Sequence, residues 1–211
     1  GLLSEGGLDV TLVDVNQAHI DAIAMNGLKI VGYGGDRFID IKATIDPKQV
    51  GVGDIVIVQC KATHTENAVK NALPVFGDHT IVVSFQNGIG NEEVIADLIG
   101  EQRVIGGLTA QAAIVEAPGG VRNYSDLPTY VGEIFGPDVG SLTPRIEKIA
   151  QTFSAAGLNT HGSANIRLDM WIKLLGNIGL SATSGTTDLA SADMIKIPEL
   201  AATIRCAVNE A

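Results

Sequence analysis

Asp54-Ile55-Val56-Ile57-Val58-Gln59-Cys60 is almost continuously apolar and rich in β-branched side chains. A half-exposed strand alternates apolar with polar residues, so an unbroken run fits a strand buried on both faces, as in a parallel sheet. Residues 79–85 (HTIVVSF) repeat the pattern. Between the two runs, Thr63-x-x-Glu66 has the form of a capping box and opens a helix expected to run through Phe76. After the second run, Gln86-Asn87-Gly88-Ile89-Gly90-Asn91 makes a tight turn into a helix ending near Gly100. Residues 103–107 follow as a short strand. Strand and helix alternate, which is the pattern of a doubly wound α/β sheet.

Upstream, residues 9–14 read as a strand ending in an acid, and Asn16 caps a helix whose Ile20, Ile23 and Ala24 share a face and which Gly27 closes. Residues 28–31 and 38–41 form two strands around Gly32-Tyr33-Gly34-Gly35. Downstream, residues 109–116, 121–124 and 129–135 read as antiparallel strands. A helix over 144–156 capped by Thr143 and a strand at 158–161 come next. Everything from Ile166 onward is helical. The expected architecture is a Rossmann-like dinucleotide-binding domain over residues 1–163, followed by the start of an all-helical second domain over 164–211.

With 45% hydrophobic residues among 211, the chain has ample material for a buried core. Twenty-four acidic against 14 basic residues give a net charge of -10, which disfavours nucleic acid and anionic membranes as partners. The two cysteines, Cys60 and Cys206, allow neither a disulfide framework nor a CxxC metal site, so no metal is expected. Cys60, ending an apolar run, reads as a buried thiol. A reducing, cytoplasmic setting fits this usage, and no stretch reads as a signal peptide or membrane span. The chain opens on Gly1, with residues 1–7 reading as the close of a helix, and it ends in a helix without a C-cap. Both features lead us to expect truncation at each end.

Four places offer chemistry. Asp14 ends the second strand of a dinucleotide fold, where an acid hydrogen-bonds the adenosine ribose; equally, it could only cap a turn. Lys61 follows a buried strand at the edge that forms the ligand crevice, where it could meet cofactor or substrate oxygens or simply be solvated. Asn87 sits in a turn at the same edge, and its amide could orient a carboxamide or carbonyl or merely suit the turn. His64 is a helix-start residue with no assigned role. Lys173, Asn177 and Ser181 are spaced four apart in an otherwise apolar helix and form a polar stripe on one face. A lysine beside a cleft can donate a proton or hydrogen bond to a developing alkoxide; the alternative is a polar stripe at a domain interface. Gly176 and Gly179 in the same helix point to close packing or backbone approach.

Cys60-Lys61-Ala62, residues 86–91 (QNGIGN), residues 103–107 (RVIGG), residues 118–121 (PGGV) and residues 171–177 (WIKLLGN) stand in order along the chain. Together they resemble the ketopantoate reductases (2-dehydropantoate 2-reductases), and the resemblance covers nearly the whole sequence. It implies an N-terminal Rossmann domain, a C-terminal helical domain, and substrate between them. It also implies Lys173 as the catalytic lysine that polarises a 2-oxo group and supplies its proton. Asn177 would bind substrate, with Ser181 and Asn87 also in contact. Asp14, Lys61 and Asn87 would meet an NADP or NAD cofactor. The reaction implied is NAD(P)H-dependent reduction of 2-dehydropantoate to pantoate, in pantothenate and coenzyme A biosynthesis. A homodimer is possible.

The sequence departs from that family in four places. The glycine fingerprint is absent, and so is the later helical segment that carries an acid and a serine in the family. With the first strand and glycine loop missing, the 211-residue chain itself is expected to be inactive and to bind dinucleotide poorly. Ser181 stands where many members have a second asparagine. Where many members place an arginine for the 2′-phosphate of NADP, this chain reads Val13-Asp14-Val15-Asn16, which favours NAD. A related reductase of another 2-oxo acid and a dinucleotide-binding module without catalysis are the competing readings.

Overall fold

The computed structural model describes residues 1–211. The chain begins with α1 (Leu2–Glu5) and β1 (Thr11–Val13). At α2 (Gln17–Asn26) the Asn16 side chain accepts the His19 N–H at 3.2 Å, and Gly27 closes the helix. There follow β2 (Leu28–Gly32), β3 (Arg37–Ile39), β4 (Lys42–Thr44), β5 (Gly53–Val58), α3 (Thr65–Ala72), β6 (Phe76–Ser84), α4 (Asn91–Ile99) and β7 (Val104–Thr109). The second half comprises β8 (Ala113–Ala117), β9 (Gly120–Asn123), β10 (Thr129–Glu133), α5 (Pro144–Ala155), β11 (Thr160–Gly162), α6 (Ile166–Thr187), α7 (Ser191–Met194) and α8 (Pro198–Glu210).

The main sheet has the order β11-β10-β7-β6-β5. Strands β5, β6 and β7 are parallel, and β10 runs antiparallel to β7. Successive residues of one strand point to opposite faces, and the core follows that rule. Val82 and Val104 pack with Val69 of α3, Ile95 of α4 and Ile166 and Met170 of α6. Their neighbours Val83 and Ile105 pack on the other face with Ile146, Ile149 and Phe153 of α5. Helices thus cover both faces, and the fold is Rossmann-like α/β with additional helices after residue 166.

Helix α6 docks on the sheet through Gly132. A Cβ there would stand 2.6 Å from the Ser163 carbonyl and 2.7 Å from Ile166 Cβ, so only glycine lets the helix approach this closely. Further along, α6 packs on α8, with Gly179 beneath Ile204 and Val208. At Gly176 nothing lies within 4 Å of an added Cβ, so of Gly176 and Gly179 only the latter serves close packing.

The structure corrects several local expectations. The apolar run at β5 is not buried on both faces: β5 pairs only with β6, and Ile57 is 38% exposed. Thr63 caps nothing, because residues Ala62–His64 form a 3-10 turn and α3 starts at Thr65 without a side-chain cap. Pro74 lies in a second 3-10 turn, Leu73–Val75, so the helix stops at Ala72 and β6 begins at Phe76. Strands β8 and β9 form the expected antiparallel pair but leave the main sheet, joining β2 and β3 in a second one. Strand β4, not foreseen, pairs in parallel with β1 in a two-stranded sheet of their own. Cys60 is only partly buried. No helix is long and apolar enough to cross a membrane.

Candidate functional site

Because β5, β6 and β7 run parallel, the segments after them emerge at one edge of the sheet. That edge carries the Cys60-Lys61 segment, the residue 86–91 turn and Thr109. Helix α6 passes over it. Between turn and helix lies a shallow cleft, open to solvent, whose walls include Asn87, Gly107, Leu108, Met170, Lys173 and Asn177. Three of the residues singled out from sequence, Asn87, Lys173 and Asn177, therefore share one wall-to-wall space. The i, i+4 spacing puts Lys173 and Asn177 on the same face of α6, one turn apart.

Lys173 is half-buried, and its ammonium donates to the Thr109 carbonyl at 2.7 Å. That carbonyl is held in place by its own strand: the Thr109 and Thr129 hydroxyls meet at 3.0 Å, and the Ala110 N–H donates to the Pro128 carbonyl at 3.1 Å. Burial pulls the Lys173 ammonium below its ordinary pKa, with no opposing charge to offset it. The lysine is thus a desolvated, unneutralised cation facing the cleft. Such a group stabilises an anion or an oxygen gaining negative charge, and gives up its proton more readily than a surface lysine.

The remaining predicted residues lie outside the cleft lining. Ser181 is exposed; eight residues beyond Lys173 it stands about 12 Å further along the helix axis. Lys61 is exposed, and its carbonyl accepts the His64 N–H at 2.8 Å. Asp14 follows β1 and is exposed, with one carboxylate oxygen accepting the Asn16 N–H at 2.8 Å. The other oxygen has no such bond.

Sequence reading missed a buried polar relay that runs inward from Gln86 at the floor of the cleft. Gln86 is 6% exposed, and its amide NH2 donates to the Cys60 carbonyl at 2.7 Å and to the Thr65 hydroxyl at 2.8 Å. Thr65 donates to Asn91 Oδ1 at 3.2 Å, and Asn91 Nδ2 donates to the Asn87 carbonyl at 3.3 Å. The available signal was a polar residue directly following the apolar run that ends at Phe85. Also missed was Glu92 of α4, fully buried with neither carboxylate oxygen hydrogen-bonded. Its side chain lines a crevice with Arg167, Met170 and Trp171, and burial raises its pKa. No cluster of His, Cys, Asp or Glu side chains could hold a metal ion.

Comparison with known proteins gives the family. The sequence profile described as "Ketopantoate reductase PanE/ApbA" matches residues 1–136. The chain belongs to that family. It is 31% identical over 205 residues to a 2-dehydropantoate 2-reductase of Mesorhizobium japonicum, covering 86% of this chain and 61% of that relative. A crystal structure of 2-dehydropantoate 2-reductase from Geobacter metallireducens GS-15 superimposes with a TM-score of 0.88 at 28% identity, over 97% of this chain and 66% of that one. D-mandelate dehydrogenase, solved with NADH and anilino(oxo)acetate, has the same fold: TM-score 0.89, 22% identity, 96% of this chain and 64% of that one. The chain therefore spans about three fifths of the length of the M. japonicum relative, at 61%.

Proposed function

We propose that the whole protein reduces a 2-oxo acid to the 2-hydroxy acid with a reduced nicotinamide dinucleotide, and that 2-dehydropantoate, giving pantoate, is its substrate. The observation that carries this reading is the convergence of Lys173, Asn177 and Asn87 on one cleft, with the lysine free of any carboxylate partner. A sensor module would have no need of a proton donor there.

Three of the exposed residues suit a dinucleotide. Asp14 keeps one carboxylate oxygen free for a ribose diol. Lys61 and Asn87 are both exposed at the strand ends where such ligands bind. The chemistry supplied by a bound reduced nicotinamide is hydride for the 2-oxo carbon. As that carbon is reduced, its oxygen gains negative charge, and Lys173 meets it with a hydrogen bond and then a proton from Nζ. The neutral amine keeps the Thr109 carbonyl as a neighbour and regains a proton from solvent. Asn177 holds the substrate from the next turn of α6, and Asn87 orients the reacting groups from the opposite wall. Ser181 would extend the substrate face of the same helix. The charge on the oxygen is greatest in the transition state, so the lysine accelerates the step rather than merely tightening binding. We take the two domains to divide at residue 163, with substrate between them.

The test is oxidation of NADH and of NADPH by the whole protein on addition of 2-dehydropantoate, set against other branched 2-oxo acids. Turnover favouring 2-dehydropantoate is expected. Preference for another 2-oxo acid would change the substrate and keep the class; cofactor binding with no turnover of any would leave a binding module.

A further inference from the structure

We propose that Gln86 is a positioning residue for the cleft: its amide ties the loop after β5 to the turn after β6, and so sets where Asn87 and Lys61 stand. The proposal rests on reading this cleft as the reductase site.

The relay has only one possible direction. At one end the Cys60 carbonyl can only accept, so the Gln86 NH2 must face it. The same NH2 serves the Thr65 hydroxyl, which turns its own proton to Asn91 Oδ1. Asn91 is thereby forced to present Nδ2 to the Asn87 carbonyl, again a pure acceptor. Each group is buried or nearly so: Gln86 6%, Thr65 1% and Asn91 5% exposed. A second strap runs alongside, from Gln59 Nε2 to the Phe85 carbonyl at 3.2 Å. The relay therefore starts from the residue before Lys61, passes the first residues of α3 and α4, and ends on Asn87. Buried amides whose partners are removed cannot turn to water, so breaking the first link loosens everything downstream.

Gln86→Glu tests this with almost no change of shape. An ionised carboxylate can donate to neither Cys60 nor Thr65, so Thr65 must reverse and Asn91 loses its donor. Hydrogen exchange of the 15N-labelled chain is the readout, corrected for intrinsic exchange at each pH. At neutral pH the amides of His64 and Val94, which donate to the Lys61 and Gly90 carbonyls on either side of the relay, should exchange about tenfold faster or more than in wild type. The amides of β7 and β10 should not change. Lowering the pH until the introduced carboxyl is protonated restores one donor and should bring back part of the protection. Gln86→Met, which can never donate, should lose protection at every pH. Unchanged exchange at His64 and Val94, a uniform rise across the sheet, or a Gln86→Glu effect that ignores pH would each overturn the proposal. In the whole protein, Gln86→Glu should lower kcat/KM for the 2-oxo acid with the same pH dependence. If wild type turns over no 2-oxo acid while the exchange pattern appears, the reductase reading fails and the clamp stands. If wild type is active and the exchange pattern is absent, the clamp fails alone.

Discussion

The ammonium of Lys173 reaches from α6 to the carbonyl of Thr109, the last residue of β7, at 2.7 Å. A carboxylate in that place would neutralise the lysine; a carbonyl orients it and leaves its charge for the cleft. Replacing Lys173 with Ala should lower kcat by about 10²–10⁴, the range for a positioned general acid, with little change in dinucleotide affinity. Steady-state kinetics beside calorimetry of cofactor binding checks this. Near-normal turnover would sink the assignment.

The same lysine sets a pH limit. Burial holds its pKa below the ordinary 10.5, and only the protonated form can donate. The proposed activity should therefore fall as pH rises, with the midpoint below 10.5. A kcat profile that stays level past that point would show that the proton comes from elsewhere.

Asp14 bears on cofactor choice. One of its oxygens is engaged by the Asn16 N–H, which fixes the carboxylate just beyond β1. A carboxylate there accepts from a free ribose diol and repels a 2′-phosphate. The whole protein should use NADH with the higher kcat/KM, and Asp14→Ser should narrow the gap. A higher kcat/KM with NADPH in wild type would overturn this.

The sheet edge was legible in the sequence because two apolar runs, each followed by a polar turn, place their C-terminal ends together in any parallel arrangement. The pairing of Lys173 with Asn177 was legible for the same kind of reason, since helical periodicity alone makes them neighbours. What periodicity does not carry is which strands stand at an edge. The run at β5 reads as fully buried, yet Ile57 is exposed because β5 has one partner strand. Nor does it carry contacts between distant segments. Gln86 meets Cys60 across 26 positions, and Lys173 meets Thr109 across 64. Nothing local marks Glu92, a first-turn acid of α4, as buried; it lies against Ile134, Arg167 and Met170, all more than 40 positions away.

That burial gives Glu92 a signature in stability. Desolvation raises its pKa above 4.5, aided by nearby Glu93 and opposed by the neighbouring Ser84 hydroxyl and Arg167. Below 4.5 the carboxyl is protonated both folded and unfolded, and its burial carries no ionisation penalty. As pH rises, the unfolded chain ionises first, so folding stability falls until the raised folded value is passed. Glu92→Gln removes this loss. The variant should melt higher than wild type at neutral pH, by roughly 2–4 °C for each kcal/mol recovered, and the two should converge under acid conditions. A melting difference that persists unchanged below 4.5 would mean the carboxyl is not the cause.

Helix α6 offers a matched pair of substitutions whose outcomes should differ in sign. Gly176 and Gly179 are one turn apart in the same helix, so alanine brings each the same gain in helix propensity, about 1 kcal/mol. At Gly176 an added Cβ meets nothing within 4 Å, so the gain stands and Gly176→Ala should stabilise the chain. At Gly179 the Cβ would meet Ile204 Cγ2 and Val208 Cγ2, both at 2.9 Å. These methyls belong to β-branched side chains within a helix, where χ1 has one preferred rotamer and cannot yield cheaply. Helix α8 must then move off α6, and overpacking of this kind costs about 1–3 kcal/mol, more than the propensity gain at its upper end. Urea denaturation of the two single variants should place Gly176→Ala above wild type and Gly179→Ala below it. Equal shifts in the same direction would show that α8 does not press on α6 at Gly179 and that propensity alone governs the helix.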